Sequence, residues 1–250
     1  MRAILTYHSI DDSGSVLSLS PGAFRRHARW LSSGRVRVTS IDELLTLSED
    51  EEALALTFDD GFENFATEGW PLLRDLGLPA TLFVVSGHAG GTNAWNGAPQ
   101  PGIPELPLLN WETLGRLAEQ GLSLGSHAVS HRPLPELDAD VVEEELARSS
   151  EEIRDRTGAE VRGFAYPYGA WSPRCEAAVA RRYRWACTTE LRPLPRRTAA
   201  AHRLPRLDAY YYRDHRHLEA WGSGSFRRRL WVRSRARGLR SSLARRGRHP

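Results

Sequence analysis

Lysine is absent from this chain: all 34 basic residues are arginine. A GC-rich coding sequence accounts for that bias without assigning it a role. Cysteine is scarce as well, with only Cys175 and Cys187. Two thiols so far apart exclude a disulfide framework and a thiolate zinc site, and both read as small packing residues. No apolar run approaches the ~20 residues a membrane-spanning helix needs. The opening Met1-Arg2-Ala3-Ile4-Leu5-Thr6-Tyr7-His8 is too short and too polar for a secretory leader. The expectation is a cytoplasmic protein with neither a signal peptide nor a transmembrane helix.

Acids are missing from residues 225–250, which carry ten arginines. The remainder holds 24 arginines against 31 acids, so a body near −7 carries a tail of +10. With 250 residues, 40% hydrophobic and 26% charged, the chain suits one sizeable globular domain. An α/β barrel commonly fills that length.

Strand and helix signals alternate. Ile4–Tyr7 reads as a first strand. Ser20-Pro21 reads as a helix cap and first turn, opening a helix that ends near Gly34. Ser40 and Glu43 fit a capping box. A helix from about Glu63 to Leu76 is kinked or restarted at Pro71 and stopped at Gly77. Pro79–Val85 is rich in β-formers, and residues 87–109 form a long loop with four prolines and five glycines. Asn110 caps Trp111–Glu119, and an acidic helix covers about Asp138 to Arg156. Its Glu143, Glu144 and Glu145 read as a solvated face. Val161–Ala165, a turn at Tyr166-Pro167-Tyr168-Gly169, a helix capped by Ser172-Pro173, and Trp185–Thr188 complete the pattern. Such alternation predicts a mostly parallel sheet with right-handed crossovers.

Two segments carry chemistry. Leu56-Thr57-Phe58-Asp59-Asp60-Gly61 delivers adjacent carboxylates into a glycine turn. Alternation along a strand sends neighbouring side chains to opposite faces, so one carboxylate can bind a metal while the other faces a nearby water. His127-Ala128-Val129-Ser130-His131 stacks two imidazoles if it is helical. Alone, Asp-Asp-Gly is often only a turn and His-x-x-x-His an accident of a solvated helix. Both, however, follow strand-like stretches, at the carboxyl ends where α/β folds build their sites. One Asp and two His make a sensible ligand set for a divalent transition metal, with zinc the first choice.

Thr57-Phe58-Asp59-Asp60-Gly61, Ser126-His127-x-x-Ser130-His131 and Tyr166-Pro167-Tyr168-Gly169, in this order, resemble the polysaccharide deacetylases, the carbohydrate esterase family 4 or NodB-homology group. The likeness runs from about residue 3 to 210. It implies an α/β fold, a distorted (β/α) barrel of about seven parallel strands, and metal-dependent removal of acetyl groups from N-acetylated saccharides. It further implies Asp60, His127 and His131 as metal ligands and Asp59 as the base acting on a metal-bound water. Tyr168 matches the residue whose backbone N–H meets the oxyanion. The family's late Leu-x-His, which supplies the proton to the leaving amine, has no counterpart in Arg203-Leu204-Pro205-Arg206-Leu207-Asp208. A subgroup with a Tyr-His-Ser-Ile-like first strand resembles Leu5-Thr6-Tyr7-His8, which makes His8 the candidate acid. Ala165 stands where the family has a base-orienting arginine, and Arg206 is the candidate replacement. Ala128 stands where the metal motif usually has Ser or Thr.

Trp95 and Trp171, with Pro167, are candidates for contacting sugar rings. The implied division is a catalytic domain over residues 1–212 and an Arg-rich tail over 213–250, either disordered or a helix on an anionic membrane surface. The expected partners are the N-acetylated saccharide and, through the tail, the inner face of the membrane. No nucleic-acid recognition motif accompanies the arginines, and a monomer is expected. Two rival readings use the same residues: hydrolysis of another C–N bond in a small amide, and non-catalytic saccharide binding.

Overall fold

Side chains on a strand alternate between its faces, and the first two long strands show what that produces here. The computed structural model describes residues 1–195 and 200–246, with side chains through 236. Its strands are β1 (Arg2–Tyr7), β2 (Ser9–Ile10), β3 (Ser18–Leu19), β4 (Arg37–Val38), β5 (Ala53–Phe58), β6 (Ala80–Val84), β7 (Ser123–Ser126), β8 (Gly163–Ala165), β9 (Trp185–Cys187) and β10 (Leu207–Asp208). Its helices are α1 (Pro21–Leu31), α2 (Ile41–Thr46), α3 (Trp70–Asp75), α4 (Trp111–Glu119), α5 (Ala139–Thr157), α6 (Pro173–Ala180), α7 (His215–Glu219) and α8 (Gly224–Arg246).

The main sheet runs β10-β1-β5-β6-β7-β8-β9 with every pair parallel, and β4 flanks the start of β5. Leu204 bridges to Cys187 while Leu207 pairs with Leu5, so the 204–208 segment joins the two ends of the sheet. The result is the expected distorted barrel of seven parallel strands. Register aligns Ile4 with Ala55 and Thr6 with Thr57. Ile4, Ala53, Ala55, Phe83, Ala165, Trp185, Cys187 and Leu204 pack together as an apolar floor inside the barrel. The larger cluster lies outside the sheet, beneath α1, α3 and α4. Both cysteines are buried and free, as packing residues.

Local signals set most helix starts. The side-chain oxygens of Ser20, Ser40, Asn110 and Ser172 accept from the N–H three residues on. The expected capping box at α2 is only half made, because Glu43 turns its carboxylate to Arg37 and Thr39. A π-turn over Phe65–Gly69 precedes α3, and Pro71 sits at the start of that helix, as its fixed φ prefers. Packing continues past residue 212: Leu218, Phe226 and Leu230 join the main core, and 224–246 are helical. Residues 247–250 of the expected tail lie outside the described residues. No helix among the described residues is long and apolar enough to cross a membrane.

Candidate metal centre and catalytic site

The inward face that begins with Ile4 and Ala55 continues upward through Thr6 and Thr57 to His8 and Asp59, just beyond the strand ends. Asp59 is 2% exposed. The Arg206 guanidinium grips it from the segment entering β10, with Nη1 donating to Oδ1 at 2.6 Å and Nη2 to Oδ2 at 2.7 Å. Arg206 is itself buried and satisfied: Nε donates to the Thr188 carbonyl at 2.9 Å, and Nη1 also reaches Thr6 Oγ1 and Thr57 Oγ1 at 3.1 and 3.3 Å. Burial alone would raise the Asp59 carboxyl, but Arg206 and then His8 hold it below the usual carboxylate range. His8 Nε2 stands 3.8 Å from Asp59 Oδ2.

Strand alternation would send Asp60 away from its neighbour's face. Instead its φ of 72°, followed by Gly61 at 80°, ends the strand and turns the carboxylate toward β7. Asp60 Oδ1 lies 3.4 Å from His127 Nε2 and 3.3 Å from His131 Nε2. The segment 127–131 is not a helix. It is a loop that begins after β7, and left-handed residues at Ala128 (φ 64°) and His131 (φ 57°) bring the second imidazole back to the first. The helical stacking envisaged from the i, i+4 spacing is therefore replaced by loop curvature. With Tyr168 (φ 58°), these are the non-glycine residues of positive φ among the described residues, and all four surround the site. Such conformations cost roughly 1–3 kcal/mol each and persist where the surroundings enforce them.

The donor atoms fit a cation. His127 Nδ1 lies 2.7 Å from the Ala165 carbonyl, which can only accept, so Nδ1 carries a proton and Nε2, facing Asp60, is the nitrogen left to bind a cation once it is unprotonated. Asp60 Oδ1 and His131 Nδ1 are buried with no hydrogen-bond partner. Two ligands each ~2.1 Å from a tetrahedral ion stand about 3.4 Å apart, close to the observed separations. Burial would raise Asp60, yet the two imidazoles hold it well below the usual carboxylate range. Among the described residues this is the one group of three such donors within 4.8 Å.

These three residues open into a cavity of about 450 Å³ lined also by His8, Asp59, Arg206, Trp95, Gln100, Tyr168, Val16 and Tyr210. Trp95 packs against His131 at 4.4 Å between centroids, and Tyr168 does so at 4.7 Å. The long loop thus brings one expected aromatic to the site. Trp171 is outside the cavity lining, under the Arg203 guanidinium, and Pro167 is buried behind Tyr168. Gly169 is required: a Cβ there would sit 2.1 Å from Thr189 Oγ1.

Sequence reasoning missed the supports. Glu145 belongs to no solvated face: it is 8% exposed and bonds the metal loop. Its place on the buried stripe Val142, Leu146, Ser149, Ile153 was the available signal. Thr6 and Thr57, two residues before His8 and Asp59 on the same faces, could have been found from the strand period.

The sequence profile of the family described as polysaccharide deacetylase matches residues 47–184. The chain belongs to that family. The provisionally named polysaccharide deacetylase YxkH of Bacillus subtilis (strain 168) is 28% identical over 193 residues, 75% of this chain and 64% of the relative. The poly-β-1,6-N-acetyl-D-glucosamine N-deacetylase of Staphylococcus epidermidis is 24% identical over 165 residues, 61% of this chain and 54% of the relative. The chain thus spans less than two thirds of the length of these curated relatives. Among solved structures, Streptococcus pyogenes deacetylase PplD in complex with acetate superposes with a TM-score of 0.69 at 20% identity, covering 83% of this chain and 91% of that one. IcaB from Ammonifex degensii gives 0.69 at 21%, covering 84% and 93%. These likenesses establish the shared fold of this polysaccharide deacetylase family member.

Proposed function

We propose that this chain is a metal-dependent hydrolase that removes N-acetyl groups from an N-acetylated saccharide. One observation carries the reading: a buried Asp60–His127–His131 set with unpartnered donor atoms shares a single cavity with an arginine-held Asp59 and with His8. Asp60, His127 and His131 would hold the ion, Zn²⁺ by preference for this donor set. Bound there, a divalent ion supplies Lewis acidity to an amide carbonyl and lowers the pKa of water. Asp59, ionised and aimed by Arg206, takes the proton from the attacking water. The Tyr168 N–H donates to the oxygen on which charge develops. His8, whose Nε2 stands 3.8 Å from Asp59 Oδ2, gives a proton to the departing nitrogen. Arg206 does for Asp59 what the family's arginine at the Ala165 position does elsewhere. That substitution removes the main argument for a non-catalytic saccharide-binding protein.

The staphylococcal relative's name makes β-1,6-linked N-acetylglucosamine polymer the first substrate to try. Acetate release is measured from that polymer, chitin oligomers, peptidoglycan fragments and simple acetamides, with and without chelator. The proposal expects chelator-sensitive release from at least one saccharide. Release from simple amides alone would favour the rival amidase reading, and no release from any would refute hydrolysis.

We propose also that α8 contacts an anionic membrane surface. Phe226 and Leu230 face the core, which leaves Arg228, Trp231, Val232 and Arg235 exposed on the opposite side. An apolar pair set among arginines suits a headgroup interface. Arg227 and Trp231 border Met1, Arg2 and Glu52, at the barrel end remote from the cavity. Docking there leaves the site open to polymer from solution. Flotation with phosphatidylglycerol-containing vesicles but not neutral ones, lost in Trp231→Ser/Val232→Ser, is expected. Equal recovery on both vesicle types would end the idea.

A further inference from the structure

We infer that Glu145 is a positioning residue for His131, holding the metal loop in its strained shape; the inference rests on the metal-centre reading above. Glu145 interrupts an otherwise apolar or hydroxyl-bearing helix face, where an unsatisfied carboxylate would be costly. Its oxygens are spent on the loop. Oε2 accepts from Val129 N–H at 2.8 Å and Ser130 N–H at 3.0 Å, and Oε1 accepts from Ser130 Oγ at 2.5 Å.

One helical turn on, Ser149 Oγ meets Ser126 Oγ at 2.7 Å, and Ser126 Oγ accepts from Ala128 N–H at 3.2 Å. Two rungs of α5 thus account for the three consecutive N–H groups between the histidines. The opposite edge is held by Ser86 N–H and Gly87 N–H, which donate to the Ala128 and Val129 carbonyls at 3.1 and 3.0 Å. A Cβ on Gly87 would lie 2.7 Å from the Val129 oxygen, so that edge has no slack.

The two left-handed residues, Ala128 and His131, flank the pair of N–H groups that Glu145 binds. Without the carboxylate those buried donors are orphaned, and the loop gains by relaxing toward ordinary φ. Relaxation moves His131, whose Nδ1 has no bond of its own to fix the ring. His127 stays, because Ala165 and Val84 hold it independently. Glu145 therefore governs how tightly the third ligand is presented, and not the chemical step. Its placement also answers for the hydroxyl missing at Ala128, since the loop is braced from α5.

The test is zinc affinity of the full chain, read by competition with a chromophoric chelator, for wild type, Glu145→Ala, Glu145→Gln and Leu146→Ala. Outer partners of metal ligands typically change affinity by about 10–100-fold. Glu145→Ala should bind zinc at least about tenfold more weakly, with turnover recovered at saturating zinc. Glu145→Gln, which keeps one acceptor oxygen, should fall between. Leu146→Ala removes buried volume from the same helix and should lower thermal stability at unchanged zinc affinity. If Glu145→Ala does not fold, Glu145→Gln and Ser130→Ala carry the comparison. Wild-type affinity in both Glu145 variants overturns the inference alone, whereas a wild-type chain that takes up no zinc overturns the metal centre itself.

Discussion

Asp59 and Arg206 form one buried ion pair, structural in its burial and chemical in the proposed mechanism. Removing one partner of a buried ion pair leaves the other charge uncompensated, at a cost of about 3–5 kcal/mol. Arg206→Met should therefore lower unfolding free energy by that amount in urea titration. Arg206→Lys should not restore turnover, because an ammonium cannot reproduce the two-pronged grip. Asp59→Asn should keep zinc yet lose about 10²–10⁴-fold in turnover, as loss of a general base does; normal hydrolysis by that variant would remove Asp59 from the mechanism.

His27 makes a separate prediction. It is fully buried, its Nε2–H donates to the Tyr212 carbonyl at 2.8 Å, and its Nδ1 accepts from Tyr7 Oη at 3.1 Å. Burial pushes its pKa from 6.5 down to about 4. The unfolded chain therefore takes up the proton first, and stability that is intact above pH 6.5 falls as pH drops toward 4. The span is worth about 3 kcal/mol. His27→Gln should flatten that part of the stability–pH curve; an unchanged slope would contradict the assignment.

At the scale of elements, helix boundaries were legible wherever local chemistry sets them. Ser20-Pro21, Asn110 and Ser172-Pro173 mark real starts because caps act within a few residues. Asp59, Asp60 and the histidines were legible because strand ends position them. The route of the 127–131 loop was not, since its curvature depends on Glu145, Ser86 and Gly87, which are distant in sequence. Arg206 could be named as a candidate, but its bonds to Thr6, Thr57 and Thr188 require the barrel's closure. Elements far from the site should be separable from it. Gly163 packs under the Trp185 ring, and a Cβ there would stand 2.0 Å from it. Gly163→Ala should cost ~1–3 kcal/mol by overpacking the barrel floor, lowering the melting temperature while zinc affinity is retained.

At the scale of the whole molecule, the alternating pattern predicted a mostly parallel sheet, and the family resemblance implied that it is a distorted barrel. Strand order could not be read, because it depends on which strand edges meet after folding. The closure explains how a first-strand histidine and a late arginine converge on one carboxylate. Residues 5 and 207 are neighbours in the sheet, so the two ends of the domain build one wall of the site. Charge is divided on the same scale, with arginines gathered at α8 and the cavity at the other end of the strands.

Anomalous diffraction at the zinc edge, from crystals equilibrated with Zn²⁺, tests the metal centre most directly. One strong peak is expected within about 2.0–2.2 Å of an Asp60 carboxylate oxygen and of His127 and His131 ring nitrogens. No peak between those three residues, at zinc concentrations that saturate the protein, would contradict it.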